Sequence, residues 1–309
     1  MKIIIFGGTG SIGRALVKSL LQNSYETYVV SRNREKATRI FQNSVNIIQW
    51  DTKNDNSLIE VFTGDYAIIN LVGENIGAKI WTRKQKAKIL NSRISITNKI
   101  SEIVNKSEVK PAVFIQASAT GYYGSSLDYE FDETSPQGIG FLASVCSQWE
   151  NALTILDKKS TRIIFIRTGL VLAKDKGLIA KMKTSFKFFL GGHFGDGKQW
   201  MPWIHIQDEV DAITYLLKNE QTQGLYNLTA PKPERMRKFC NIFGAIQFRL
   251  SWFHIPSFVV KLLPGNMGEE LLLSSQKVKP SRLQEAGFEF SFEKLEDALR
   301  EILIPKNNG

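Results

Sequence analysis

Short runs of consecutive apolar residues, rich in Val and Ile, recur through the first half of the chain. They are Lys2–Phe6, Thr27–Ser31, Val45–Trp50, Ala67–Val72, Ala112–Ala117 and Arg162–Arg167. These runs do not alternate apolar with polar. That pattern predicts strands buried on both faces, as in a parallel sheet. Between the runs, apolar positions follow helical spacing. One helix is predicted over Ile12–Leu21, another carries Ile89, Ile96, Ile100 and Ile103, and a third runs from about Leu142 to Leu156. Strand–helix alternation of this kind predicts an α/β chain with a doubly wound parallel sheet. After Gly169 the rhythm changes. Residues 174–203 are rich in Lys, Gly, Phe and Trp and read mainly as loop and short helix. A helix over Asp208–Leu217, a strand over Leu225–Thr229 and helical patterns near 256–274 and 293–303 follow. These late elements cannot all extend a parallel sheet, so a smaller C-terminal lobe is expected.

Composition narrows the class. The 309 residues are 43% apolar and 23% charged, which excludes a disordered or fibrous chain. The two cysteines, Cys146 and Cys240, make no disulfide framework and fit a reducing compartment. No Cys/His pair has zinc-ligand spacing, so no metal is expected. The opening MKIIIFGG is too short for a signal peptide, and no apolar stretch reaches the ~18 residues of a membrane span. A cytoplasmic protein without membrane contact is the expectation. The net charge of +10 is uneven. Residues 79–110 hold nine basic and two acidic residues, and residues 158–198 hold ten and two. Both segments are expected to border one cleft and to attract an anionic ligand.

The first strand runs into FGGTGSIG, with Gly7, Gly8, Thr9, Gly10, Ser11, Ile12 and Gly13 opening the first helix. Glycine supplies the positive φ of a tight turn. Bare backbone N–H groups at a helix N-terminus suit a pyrophosphate. The third glycine lets helix and sheet pack closely. In this strand–loop–helix context the motif predicts a dinucleotide-binding Rossmann-type domain over 1–170, with contributions from about 204–230, and a substrate lobe over 171–309. The second strand ends in Ser31-Arg32-Asn33-Arg34, where a free ribose 2′-OH would ordinarily meet an acid. Arg32 suits a phosphate instead, so NADP(H) is favoured over NAD(H). Asp51, after the third strand, is a candidate partner for the adenine amino group.

Further motifs carry a family resemblance. They include NLVGENI (70–76), Trp81, Thr82, Lys86, Ile89, Ser92 and Arg93, SATGYYG (118–124) and FLASVCSQWE (141–150). GDGKQWMPWIHIQD (195–208), YNLTAP (226–231) and LLLSSQKVKPSRLQEAGFEF (271–290) complete them. Together with the glycine loop, these resemble an atypical extended short-chain dehydrogenase/reductase of the NAD(P)-dependent epimerase family, some of whose members are labelled cell-division inhibitors. The resemblance implies a small appended C-terminal domain. It also implies that Leu71, Val72, Gly73 and Arg167 border the cofactor. Ile80, where an Arg is common, and the segment after Pro233 depart from the family pattern.

Reductases of that superfamily use a Tyr-x-x-x-Lys pair on the helix after the fifth strand. The Lys lowers the Tyr pKa so that the phenol moves a proton near neutral pH. Here, aligned on Glu150, those positions hold Leu142 and Cys146. Ser118 matches the serine that holds the substrate oxygen. Candidate replacements for the missing pair are Tyr122, Tyr123 and His205, each with a bland alternative as a wall or a lobe contact. Candidate substrate residues are Glu74, Asn75, Lys86, Arg93 and Trp203. Glu74 and Arg93 alternatively form a structural ion pair. Cys146 lacks an identifiable base and reads as packing. The glycines around 191–197, with Phe186, Phe188, Phe189 and Trp200 nearby, read as core or as a bendable lid.

Two functions follow. One is an NADP(H)-binding oxidoreductase or epimerase-like protein acting on a small substrate, with the basic segments favouring an anionic one. The other is a catalytically inert NADP(H)-binding redox sensor. Nucleic-acid binding lacks any reading motif. The chain is expected as a monomer or as a homodimer through helices near 83–106 and 141–157.

Overall fold

In the computed structural model, residues 1–156 and 160–304 are described. Lys158 and Lys159 of the second basic segment, Asp157 at the end of the second candidate dimer helix, and residues 305–309 of the expected lobe lie outside them. Seven strands form the central sheet: β1 (Lys2–Phe6), β2 (Glu26–Ser31), β3 (Asn46–Gln49), β4 (Tyr66–Asn70), β5 (Val113–Ala119), β6 (Arg162–Thr168) and β7 (Gly224–Leu228). Their order is β7-β6-β5-β4-β1-β2-β3, and every neighbouring pair is parallel. Strand order reverses at β1 and β4. An open α/β sheet places its ligand crevice at the carboxyl ends of such a pair.

The main helices are α1 (Ser11–Gln22), α2 (Arg34–Phe41), α3 (Arg83–Lys106), α4 (Phe141–Asn151), α5 (Gly177–Lys187), α6 (Ile206–Lys218), α7 (Met236–Ile246) and α8 (Leu295–Leu303). They cover the sheet because its strands are apolar on both faces. Ile3 and Ile5 pack with Leu16, Leu20 and Ile213 on one side. Ile4 and Phe6 pack with Trp50, Ile100 and Val104 on the other. Each fully buried Ile of β1 contributes about 1.5–3 kcal/mol. A third cluster lies in the later half of the chain, where α5, α7 and α8 enclose Phe186, Trp203, Phe239, Phe243 and Leu299.

Short pairings tie that later half to the sheet. Leu170–Leu172 runs parallel to Trp203–His205, and Glu130–Phe131 runs parallel to Lys277–Val278. A Cβ on Gly169 would lie 2.1 Å from the Pro202 carbonyl oxygen, so only glycine permits the close approach after β6.

Three sequence expectations are corrected. The helical pattern near 256–274 breaks into the turns Ser257–Lys261, Pro264–Asn266 and Gly268–Leu272. Pro264 interrupts it, and Gly265 adopts φ 72° with its α-carbon against the Trp81 carbonyl. The helix expected to reach Leu156 ends at Asn151. The glycines near 191–197 do not hinge a free lid. Gly192–Phe194 pairs with Phe253–Ile255, and a Cβ on Gly192 would collide with the Phe253 carbonyl.

Candidate functional site

The glycine turn is built from backbone. Gly7 has φ 80°, and a Cβ there would lie 2.8 Å from the Leu71 carbonyl. A Cβ on Gly13 would lie 2.5 Å from the Gly7 carbonyl oxygen. The Gly10 N–H donates to Gly7 O at 3.0 Å and closes the turn. Helix α1 then starts with no side-chain cap and no acidic residue in its first turn. Gly10 and Ser11 are exposed. The first N–H groups of α1 therefore face open space with the positive helix end behind them, which is an anion cradle. Leu71, Val72 and Gly73 follow β4 and form the adjacent edge, with the Leu71 N–H held by Phe6 O. The Thr9 carbonyl accepts from Arg14 Nε at 2.8 Å.

The end of β2 lies beside this turn, because Phe6 and Val30 are in register. Ser31 Oγ exchanges hydrogen bonds with the backbone of Asn33. Arg32 is exposed, and among the described residues no hydrogen bond or ion pair engages its side chain. Asp51, also exposed, accepts from the Lys53 N–H.

A second cluster is built from side chains at the ends of β5 and β6, where Ser118 and Arg167 are in register. Ser118 Oγ donates to Glu150 Oε1 at 2.6 Å. Arg167 grips the same carboxylate with two bonds of 2.8 Å, Nε to Oε1 and Nη2 to Oε2. Burial works against the charge on Arg167, yet the Glu150 carboxylate more than offsets it and raises the pKa. The third nitrogen, Nη1, is buried and has no hydrogen-bond partner among the described residues. The Tyr122 ring centre lies 3.3 Å from the guanidinium carbon and the Tyr123 ring centre 4.9 Å. Leu142 and Cys146 close on the same turn: a Cβ on Gly121 would sit 3.3 Å from Leu142 Cβ and 3.7 Å from Cys146 Sγ. Burial, with Glu150 adding to it, pushes the Cys146 thiol up to about 11, so it is a packed thiol.

The structure separates several residues that sequence reasoning had grouped with these. Trp203 is fully buried in the third core and donates Nε1–H to the Lys232 carbonyl, so no substrate reaches it. His205 caps α6, with Nδ1 accepting from the Gln207 N–H; its Nε2 stands 3.2 Å from Glu301 and its ring lies on Phe292. These contacts tie the start of α6 to the C-terminal lobe. Tyr123 is buried, bonds Asn227 Oδ1 at 2.7 Å, and has its phenol pushed up to about 12 by burial. The phenol therefore stays protonated near neutral pH and offers no phenolate base there. Tyr122 stays half-buried on Arg167.

Glu74 and Arg93 meet, but not as an ion pair. Arg93 donates to the backbone carbonyls of Glu74 and Ile89 and stacks over Trp149. The Glu74 carboxylate bonds Lys88 and Gln85 instead. Asn75 Oδ1 accepts from the Gly77 N–H, and Lys86 lies over the rings of Trp81 and Phe141. Lys181 of the second basic segment reaches the loop just before the first: its Nζ donates to the Gly77 carbonyl at 3.0 Å.

A cavity of about 290 Å³ adjoins the 120–123 turn, lined by Gly121, Leu142, Lys261, Glu270, Ser274 and Gln276. Glu270 Oε2 accepts from the Leu142 N–H at 2.8 Å and so caps α4 from 128 residues away. Sequence reasoning missed it, since nothing local signals such a contact. It also passed over Glu150 as a site residue, although that residue follows Cys146 by one helical turn. Glu209 was missed as well. It is fully buried, accepts only from Thr168 Oγ1 among the described residues, and burial pushes its carboxyl up to about 8.

Comparison with known proteins agrees with this architecture. Residues 3–229 match the family model described as "NAD dependent epimerase/dehydratase family", and residues 255–302 match a domain of unknown function, DUF1731. The chain is 38% identical over 307 residues to the chloroplastic epimerase family protein SDR39U1 homolog of Arabidopsis thaliana, covering 98% of this chain and 87% of that one. It is 33% identical to the epimerase family protein YfhF of Bacillus subtilis, over 99% of each chain. The crystal structure of human epimerase family protein SDR39U1 (isoform2) with NADPH superposes with a TM-score of 0.87 at 31% identity, over 98% of this chain and 99% of that one. The sheet order, the glycine turn and these matches together assign the chain to the NAD dependent epimerase/dehydratase family, within the extended short-chain dehydrogenase/reductases that its motifs resembled.

Proposed function

We propose that this protein binds NADP(H) along the carboxyl edge of β1, β2 and β4 and acts as an oxidoreductase or epimerase-like enzyme on a small substrate. The observation that carries the reading is the uncapped, acid-free start of α1 beside an unengaged Arg32. The residues present fit the cofactor. Backbone N–H groups of residues 10–13 would hold the pyrophosphate, and Arg32 the 2′-phosphate. Leu71, Val72 and Gly73 would border the nicotinamide half. The NADPH in the human relative's structure supports the same preference.

Bound there, the nicotinamide would supply or accept a hydride. The chain's own part is to hold the substrate oxygen and manage its proton. Ser118 Oγ is the group placed for that, and Glu150 fixes its hydroxyl by accepting from it. Arg167 holds Glu150 in turn, so Glu150 and Arg167 are positioning residues behind Ser118. The 171–309 stretch, as a substrate lobe, supplies Glu270 and Gln276 to the adjoining cavity. The carboxylates of Glu269 and Glu270 in that cavity weigh against an anionic substrate there.

A second reading is an inert NADP(H) sensor. It is favoured by Leu142 and Cys146 in the place of a proton-moving pair and by the raised, engaged phenol of Tyr123. One experiment separates the two. Purified protein is titrated with NADPH and NADH by fluorescence, then assayed with aldehydes, ketones and nucleotide sugars. NADPH binding plus turnover that Ser118→Ala abolishes supports the enzyme. Binding without turnover leaves the sensor. Tighter NADH than NADPH binding overturns the cofactor assignment.

A further inference from the structure

One surface is left unused by this site. After α5, Phe188, Phe189 and Leu190 project from a loop; after α7, Phe248, Leu250 and Trp252 project from another. All six are more than half exposed, with Phe248 at 89%. The two loops are neighbours. The Arg249 guanidinium lies 5.1 Å from the Phe189 ring centre, and Gly192–Phe194 pairs with Phe253–Ile255. The turn Ser257–Lys261 follows at once, and Phe258 and Leu262, one helical turn apart, are also largely exposed. Isolated exposed apolar residues need no explanation, whereas a contiguous face of this kind marks an interaction surface.

Backbone geometry sharpens the point. Phe189 and Phe248 both adopt left-handed φ, 60° and 53°. A bulky side chain is disfavoured in that region, where glycine or asparagine is the easy choice. The turns therefore hold the rings outward at a conformational cost.

Charge identifies the partner. No acidic residue occurs between Asp175 and Asp196, or between Glu234 and Glu269, and these two stretches carry the whole aromatic face. Lys187 and Arg249 are exposed within it, and among the described residues neither pairs with a carboxylate. At its edge Lys261 pairs with Glu269. Aromatic rings flanked by unpaired cations suit a headgroup region, where the rings enter the acyl boundary and the cations meet anionic lipid. A second copy would set these like charges against each other. No helix among the described residues is long and apolar enough to cross a membrane. We propose that the 188–190, 248–252 and 258–262 face docks this protein peripherally on an anionic lipid bilayer. That narrows the earlier expectation of no membrane contact to the absence of a spanning helix. Helix α5 joins this face to the cleft, since Lys181 at its middle touches Gly77.

The test is flotation of the full chain with vesicles of phosphatidylcholine alone or mixed with phosphatidylserine. Binding is expected to the mixed vesicles only and to weaken with added salt. The pair Phe248→Ser and Trp252→Ser is expected to lower partition by about tenfold or more. Lys187→Glu with Arg249→Glu, which leaves the rings in place, is expected to lower it comparably. Unchanged melting temperature and near-ultraviolet dichroism exclude misfolding of either variant. No flotation at low salt overturns the proposal. So does equal binding to both vesicle types, or a concentration-dependent dimer by light scattering that Phe248→Ser abolishes.

Discussion

The glycine turn after β1 and the Ser118 cluster at the ends of β5 and β6 share one edge of one sheet, yet they are built in opposite ways. The turn uses seven consecutive residues, and its working groups are backbone N–H. The cluster draws Ser118, Glu150 and Arg167 from three elements, and its working groups are side chains in a low-dielectric setting. At Gly7 and Gly13 the turn leaves no room for an added atom. The cluster tolerates no lost partner. A backbone site is specified by what is absent at each position, whereas a side-chain site is specified by what its neighbours satisfy.

The hardest blow to the second kind is removal of one partner. Arg167→Met would leave the Glu150 carboxylate nearly buried and unpaired and is expected to cost about 3–5 kcal/mol of stability, read by chemical denaturation. A cost below about 1 kcal/mol would show that the pair is not energetically coupled. The matching blow to the turn is Gly13→Ala. Its methyl would meet the Gly7 and Gly8 backbone, which cannot swing aside, so about 3 kcal/mol and most NADPH affinity are expected to be lost. Wild-type melting and titration curves for this variant would break the argument.

Acid and base should also tell the two regions apart. Behind β6, Glu209 has its carboxyl raised by burial from 4.5 to about 8. The folded chain thus keeps a proton that the unfolded chain releases. This contribution is complete below about pH 4.5 and is lost as pH rises through about 8. Between pH 6 and 8 stability is expected to fall by about 2 kcal/mol from this group alone. Glu209→Gln should flatten that slope in denaturation curves taken across the window, and an unaltered slope refutes the assignment. The glycine turn, having no titrating group, carries no such dependence.

The smallest effect belongs to cofactor choice. Arg32→Ala is expected to weaken NADPH binding by about 1–2 kcal/mol, roughly five- to thirtyfold, and to leave NADH unchanged. Equal losses for both cofactors would place Arg32 elsewhere than at the 2′-phosphate.

Much of this was legible in the chain itself. Apolar runs without alternation located six of the seven strands to within a residue or two, because a strand buried on both faces leaves that mark regardless of context. The anion cradle was legible for a related reason: glycine's lack of a Cβ is a local property. The aromatic segment 186–203 was not. Its residues divide between core (Phe186, Trp203) and open surface (Phe188, Phe189), and composition cannot tell the two apart.

What the sequence determined by itself, then, is the parallel sheet, its order of strands and helices, and the dinucleotide turn, all products of short-range pattern. Only the tertiary structure decided that Ser118 is held by Glu150 and Arg167, that Glu270 reaches the Leu142 N–H, and that His205 and Trp203 belong to a lobe contact and a core. Those facts depend on which side chains meet across tens of residues and on how fully water leaves them. Neither is written in any local stretch of the chain.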